Sequence, residues 1–502
     1  GNLGKNCHKT LLPIKNKSIL SNIIEKFDKD HEIIIAVGHL KNQIIEYVNL
    51  YHSDRDIKFI NVDPYRDKGS GPAQSINCCR DKLQRPFYFC VSDFYTEENI
   101  QNLNFLKENW ISLKDTNIPE LYSTINIDNG KIVSLINKNK DGYSKAFTGI
   151  FYMYDFKLFW NEFDKNVDEN KEIVDVFKNI ELFNFKPKQI NLDDMGTSDL
   201  YFKLVEKYEG KNLHLHKTKF EHKYMLNNVF IKAGTKDKID KVFKRGKYLF
   251  DHIPKLIFKG DYFFTYEYFK GKTLYQINDK NVYIKFYNWF EENFFKNLEK
   301  NTNFKDDAYK FYNNKTMKRL KLVKSKFYFN ELDSINKINN KNVLSIDKYL
   351  EKINWDDLTE IISTKKFHGD LQFDNIVYNN GNFKFIDWRE DFGGNTECGD
   401  LYYDLAKLYG GMILNYLKMK NNNNYSYIIS GDNIILKNYN DDKLEGLMNN
   451  EFVSLIKRNN FDLRKIKLLT AIIFLNMSPL HINKFDEFLF LKSKYLFSTI
   501  FN

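Results

Sequence analysis

The residues whose types and spacing best fit a reaction are His368, Gly369, Asp370, Leu371, Gln372, Phe373, Asp374 and Asn375, followed by Phe385, Ile386, Asp387 and Trp388. In phosphoryl transfer, one Asp orients the acceptor hydroxyl or takes its proton and an Asn five positions on reaches a metal ion. An Asp on a following strand then holds Mg2+ against the β- and γ-phosphates. Asp370 occupies the first role, and Asn375 and Asp387 occupy the other two. A pair of Gly- and Asn-rich surface turns would account for the loop, but not for an apolar strand ending in Asp387 at that distance. His368 reads as a residue that tethers backbone, not as a proton carrier.

A second set of residues lies near the start. Gly1, Gly4 and Lys5 lead to Lys9, Thr10, Leu11, Leu12, Pro13 and Ile14, a glycine-containing loop, a lysine and an apolar run. Glycines let backbone approach a phosphate chain, and Lys9 can neutralise it. Phe87 to Val91, an apolar strand, ends at Ser92 and Asp93, where an α/β sheet presents metal ligands. Asp194 stands beside Met195, Gly196 and Thr197 much later in the chain. Asp93 and Asp194 can clamp one Mg2+ against a nucleotide's phosphates, since this hard ion takes oxygen ligands and keeps waters.

The elements that position these residues follow from the apolar pattern. Helical and β-rich stretches alternate over Ile19 to Phe27, Glu32 to Val37, Asn42 to Tyr51, Ile57 to Val62, Ala73 to Leu83 and Pro86 to Ser92. Such alternation predicts an open, doubly wound α/β sheet whose ligands sit at the carboxyl ends of strands. After about Leu226 the texture changes to Tyr- and Phe-rich strands, Asn228 to Lys232 and Tyr262 to Phe269, then to helical patterns through 280–365. The tail 411–502 reads as mostly helical, interrupted by the polar run Asn421 to Tyr425. With 502 residues, two domains are expected, 1–224 and 225–502.

Composition narrows the class. Hydrophobic residues make up 42% and aromatic residues 16%, which fits folded, ring-filled interiors. The net charge of +10 comes from lysines scattered among Asn, Asp and Glu, so no nucleic-acid partner is expected; clefts for nucleotides and phosphorylated substrates fit better. The five cysteines, at 7, 78, 79, 90 and 398, form neither C-x-x-C pairs nor an even framework, which fits a reducing, cytoplasmic setting. Apolar runs such as Ile33 to Val37 and Leu468 to Leu475 are too short for membrane insertion. The oligomeric state is not legible.

Residues 1 to about 224 resemble the sugar-phosphate and phosphocholine nucleotidyltransferase family. The segments that carry the resemblance, in matching order, are Lys9 to Ile14, Ala36 to His39, Gly69, Ser70, Gly71, Pro72 and Ala73, Val91 to Asp93, and Asp194 to Thr197. The family's first strand has no counterpart before Gly1, and Lys5 stands where the family has Arg. The resemblance implies attack by a substrate phosphate on the α-phosphorus of an NTP, with Gly69 and Gly71 in the nucleotide-contacting segment.

Residues from about 225 to 420 resemble the choline kinase and aminoglycoside phosphotransferase family, most sharply from Phe367 onward, including Gly399, Asp400, Tyr403, Asp404, Leu405 and Ala406. This implies an α+β bilobal, protein-kinase-like domain using ATP and Mg2+. Lys232 would contact the α- and β-phosphates, and the segment Tyr266, Glu267, Tyr268 to Gly271 would form the hinge that meets the base. Trp388, Tyr402 and Tyr403 read as core packing before they read as an aromatic wall for a quaternary ammonium. Together the resemblances imply a bifunctional enzyme that phosphorylates a choline-like alcohol and then transfers a nucleotidyl group, from CTP first among NTPs, for surface glycan or lipid precursors. The alternatives are a sugar or polyol kinase fused to its pyrophosphorylase, or a kinase beside a non-catalytic nucleotide sensor.

Overall fold

The computed structural model describes residues 6–63, 65, 70–100, 107–167, 172–210, 221–277, 279–296, 298–301, 303–415, 425–438, 446–482 and 484–501. Gly1, Gly4, Lys5 and Gly69 lie outside the described residues. Packing divides the chain into Gly1–Thr235 with Gly260–Phe263, and Lys236–Lys259 with Phe264–Asn502. The change of sequence texture near Leu226 falls inside the first unit. There the Tyr224 hydroxyl donates to the Leu11 carbonyl at 2.6 Å, and the Glu46 carboxylate accepts from the N–H groups of Asp261, Tyr262 and Phe263.

In the first unit, Ile33–Val37 pairs in parallel with Ile57–Asn61 across the helix Lys41–Tyr51. That helix buries Ile44, Tyr47, Val48 and Tyr51, one stripe at the helical repeat, so the crossover packs back on its strands. The predicted alternation holds through Phe87–Cys90 and then gives way. Trp110–Asp115, Ser123–Asp128, Lys131–Asn137 and Lys145–Met153 form antiparallel pairs, and only Lys186–Gln189 joins them in parallel, beside Trp110–Asp115. The sheet is therefore mixed, not doubly wound throughout. The reason is local: Asn129 and Gly130 both have positive φ, 48° and 76°, the two-residue turn that closes an antiparallel hairpin with the right twist.

In the second unit the helix Leu401–Ile413 is buried along its whole length, so it reads as apolar all round instead of amphipathic. Helices Leu463–Met477 and Phe485–Phe501 are also largely buried. Stretch 280–365 is less continuously helical than its pattern predicts. It contains the helix Lys280–Phe294 and several shorter ones, broken by strands Glu299–Asn301, Lys337–Ile338, Lys341–Asn342 and Ile361–Thr364. In the tail, Tyr425–Ser430 and Asn433–Asn438 form a hairpin, where Gly431 supplies the φ of +61° that the turn requires. Among the described residues no helix is long and apolar enough to cross a membrane.

Arg245 is fully buried in this unit. Its guanidinium donates to the carbonyls of Glu397, at 2.6 Å, and Phe367. It thereby fixes the backbone that enters the segment His368 to Asn375. Arg245→Ala would strand both carbonyls, and a loss of about 2–5 kcal/mol is expected in urea unfolding. An unchanged midpoint would show that the carbonyls find other partners.

Candidate active sites

The first site is assembled from three distant stretches of the first unit. Lys9 opens a single helical turn, Lys9–Leu11, whose next residues Thr10, Leu11 and Leu12 are buried, so its side chain is left to point outward. Its ammonium lies 2.8 Å from Asp93 Oδ2, with both side chains part-exposed. Asp93 ends the run that begins with strand Phe87–Cys90, and Asp194 is brought alongside by the antiparallel pairing of Asp194 with Phe94 and Asp193 with Tyr95. The Gly196 N–H donates to Asp194 Oδ1 at 2.7 Å. A Cβ built on Gly196 would lie 3.2 Å from that oxygen and 4.0 Å from Asp93 Oδ2, so both carboxylates converge on this turn. Tyr122 donates to Asp194 Oδ2 at 3.3 Å, and Lys114 sits over the Tyr122 ring at 4.4 Å. Gly71 precedes the helix Pro72–Cys78, and its carbonyl accepts from the Ser75 N–H at 3.1 Å.

Among the described residues there is no ready-made cluster of three or more His, Cys, Asp or Glu side chains for a metal ion. Mg2+ does not need one. It dehydrates reluctantly and is held by one or two carboxylates together with substrate phosphates and waters. The paired hard oxygens of Asp93 and Asp194 fit that requirement, with Lys9 placed to neutralise phosphate. Lys114, on strand Trp110–Asp115, and Tyr122, just before strand Ser123–Asp128, stand beside this pair and carry no motif in the sequence.

The second site lies in the second unit, and its loop is held from within. His368 is fully buried, with Nε2 3.0 Å from the Ile386 carbonyl and Nδ1 accepting from the Asp370 N–H at 3.1 Å. This assigns the Nε2–H tautomer and a tethering role. Asp404 accepts from the N–H groups of His368 and Gly369, at 2.8 and 2.7 Å, and Gly369 has a φ of +81° that suits glycine. Asp400 accepts from the Tyr312 hydroxyl and the Ile362 and Tyr402 N–H groups.

This framework joins Asn375 to Asp370 and ties the backbone on either side of Asp387 to the same loop. Asn375 Nδ2 donates to the Asp370 carbonyl at 2.8 Å and lies 3.3 Å from Asp370 Oδ2, which leaves the Asn375 side-chain oxygen for other work. Strands Ile376–Asn379 and Asn382–Phe385 pair so that the Ile386 N–H meets the Asn375 carbonyl at 3.0 Å, and the Arg389 N–H meets the His368 carbonyl at 2.9 Å. Asp387 is thus bracketed against the same loop. Its φ of +61° is unusual for a residue with a side chain and holds the carboxylate at the strand end at a cost of about 1–3 kcal/mol. An amide oxygen and a carboxylate are again hard donors of the kind Mg2+ accepts.

Lys407 was not assigned a role in the sequence. It is buried, and its ammonium lies 2.8 Å from Asp370 Oδ1, which also accepts from Gln372 at 3.0 Å. Burial alone would raise the Asp370 pKa, but the Lys407 charge and hydrogen bond hold it down at about 2, so the group is ionised at neutral pH. The signal was present in the spacing, since Lys407 follows Asp404 and Asp400 on one helix. Trp388, Tyr402 and Tyr403 are all buried, and the Trp388 indole N–H donates to the Val242 carbonyl at 2.8 Å. Lys232 lies on the first unit's strand Val229–Ala233, opposite Lys223, whereas Glu267, in the second unit, is exposed.

Burial pushes the carboxyl of Asp404 up to about 7, although two N–H donors and the Arg245 charge favour its ionised form. An acid with a raised folded pKa adds stability below its unfolded value near 3.8, and that stability is lost as pH rises through about 7. The advantage of the native chain over Asp404→Asn in thermal unfolding is therefore expected to be larger at pH 5 than at pH 8. An advantage that grows with pH would contradict this assignment.

No protein-family model matches the chain. It is 30% identical over 148 residues to the bifunctional protein GlmU of Methanococcus vannielii, a match covering 29% of this chain and 34% of that protein. Over 183 residues it is 25% identical to GlmU of Methanocaldococcus jannaschii, covering 36% and 43%. The chain thus spans between about a third and two-fifths of the length of these relatives. Among solved structures, the CTP:phosphocholine cytidylyltransferase LicC of Streptococcus pneumoniae matches with a TM-score of 0.34 and 20% identity, over 41% of this chain and 91% of that one. By these sequence likenesses to GlmU, the N-terminal region is homologous to nucleotidyltransferase-like proteins.

Proposed function

We propose that the chain joins two transferase activities, a small-molecule kinase in the second unit and a nucleotidyltransferase in the first, with the kinase product serving as the nucleotidyl acceptor. The observation that supports this reading is that Lys9 meets Asp93 beside Asp194 in one unit, while in the other Asn375 and Lys407 meet Asp370 and the backbone flanking Asp387 is tied to the same loop. Homology of the N-terminal region to nucleotidyltransferase-like proteins supports the first half. The kinase half rests on side-chain chemistry and on the resemblance in sequence.

In the kinase reading, Asp370 orients the acceptor hydroxyl and receives its proton as the oxygen bonds to the γ-phosphorus and the bond from that phosphorus to the β,γ-bridging oxygen breaks, releasing ADP. Lys407 keeps that carboxylate ionised and fixed, and Asn375 and Asp387 hold Mg2+ on the triphosphate. In the nucleotidyltransferase reading, Lys9 draws negative charge from the α-phosphate as the incoming phosphate attacks and pyrophosphate leaves, while Asp93 and Asp194 hold Mg2+. When bound, the metal supplies charge neutralisation along the phosphate chain. CTP is the NTP and choline the acceptor that the sequence resemblance favours. The test is sequential: ADP release with ATP and a panel of alcohols, then pyrophosphate release when each NTP is added to the phosphorylated product. Pyrophosphate release without any ADP-forming step would leave the kinase half unsupported.

A further inference from the structure

The surroundings of Asp370 differ on its two sides. Oδ2 faces Asn375, the side assigned to metal and nucleotide, while Oδ1 faces Lys407 and Gln372. Further cations gather around the same carboxylate. Arg389 lays its side chain across Gly369, where an added Cβ would come within 2.6 Å of Arg389 Cδ. Lys315 and Arg319, one turn apart on the helix Lys315–Lys324, complete the group. Lys315 and Arg389 both lie over the Phe311 ring, at 4.2 and 5.3 Å, and Lys315 is also 5.6 Å from the Tyr403 ring.

These charges are answered unevenly: neighbouring acids favour the charged form of Arg389, whereas burial and nearby cations oppose those of Lys315 and Arg319. Among the described residues, Lys315, Arg319 and Arg389 form no ion pair, and the Arg389 Nε is buried with no hydrogen-bond partner. Burial, and then the charges of Arg389, Lys407 and Arg319, drive the Lys315 ammonium well below its ordinary pKa, with Asp370 pulling the other way. Glu390 acts on both Arg389 and Lys315, and Asp391 acts on Arg389 as well, so Asp370, Glu390 and Asp391 stand among four cations. Asp400 and Asp404 are occupied by the hydroxyl and backbone donors described above. Like charges packed this closely with burial are costly unless an anion completes the site.

Building on the kinase reading, we infer that the hydroxylated acceptor placed beside Asp370 carries an anionic group, a carboxylate or a phosphate, which Arg389, Lys315 and Arg319 receive. A quaternary ammonium fits poorly here. The aromatic faces that would attract it, Phe311 and Tyr403, are already covered by the chain's own cations. An uncharged polyol would leave the guanidinium and ammonium groups unanswered. The acceptor hydroxyl therefore meets Asp370 while its anion is held some way along the same molecule, a geometry that also sets which hydroxyl is presented.

The full chain with ATP and Mg2+ is to be assayed for ADP release with acceptors matched except for charge: glycerol against glycerate, glucose against glucuronate and glucose 6-phosphate, and choline. The expected result is that an anionic member exceeds its neutral partner and choline in kcat/KM by at least about tenfold, the worth of one charge-assisted hydrogen bond. The glucuronate and glucose 6-phosphate arms separate carboxylate from phosphate. Arg319→Met, at a half-exposed position, and Arg389→Met should each raise the acceptor KM about tenfold or more with the ATP KM held, and Arg389→Lys should recover part of the loss. Preference for choline or a neutral acceptor would overturn the inference and leave the kinase intact. So would variants that raise the ATP KM instead, because the cations would then serve the nucleotide. No acceptor-dependent ADP release above the Asp370→Asn background would remove the kinase reading itself.

Discussion

Asp370→Asn is expected to lower acceptor-dependent ADP formation by about two to four orders of magnitude, the range for removing a positioned general base. The substitution is nearly isosteric, and the loop is held by other bonds: His368 to Ile386, Asp404 to the His368 and Gly369 N–H groups, and Asn375 to the residue 370 carbonyl. The fold is therefore expected to survive and ATP·Mg2+ to bind, so the loss should appear in kcat and not in the ATP KM. Lys407 adds a second effect. In the variant its buried ammonium loses the carboxylate 2.8 Å away, so a somewhat lower thermal midpoint should accompany the loss of turnover. A variant that keeps more than about a tenth of native ADP formation would remove Asp370 from the role of base.

Asp93→Asn combined with Asp194→Asn is expected to reduce pyrophosphate release from NTP and a phosphorylated acceptor by at least about a hundredfold, while ADP formation is retained. Both carboxylates converge on Gly196, and Lys9 reaches Asp93 directly, so the double variant removes the charge that would hold a metal while leaving the strands paired. Pyrophosphate release and ADP formation should be measured on the same preparation, because the independence of the two is the content of the prediction. If both activities fall together in a folded double variant, the units do not carry separate sites.

The loop around Asp370 was legible in sequence for a simple physical reason. A turn that sets Asp370 and Asn375 five residues apart, followed by one short hairpin, is a local structure, and the Asn375 bond to the Asp370 carbonyl lies within it. The pair Asp93 and Asp194 was less so. Each is an ordinary carboxylate at a strand end, and only the two-residue ladder between Asp193–Asp194 and Phe94–Tyr95 makes them neighbours. Lys315 and Arg319 gave no signal at all, because exposed-looking cations on a helix usually face water.

The periodic elements from Ile19 to Cys90 and the close spacing of Asp370 and Asn375 could be read from the residues alone, since they depend on contacts within one turn or one repeat. Tertiary packing was needed to show that Phe87–Cys90 pairs antiparallel with Lys145–Met153, that Arg245 and Asp404 brace the loop around Asp370, and that Lys407, Lys315 and Arg389 act on its carboxylate with Arg319 beside Arg389. Strand pairing and the pooling of charge join residues far apart in the chain. Their energies depend on distance and burial, which no local pattern of residues specifies.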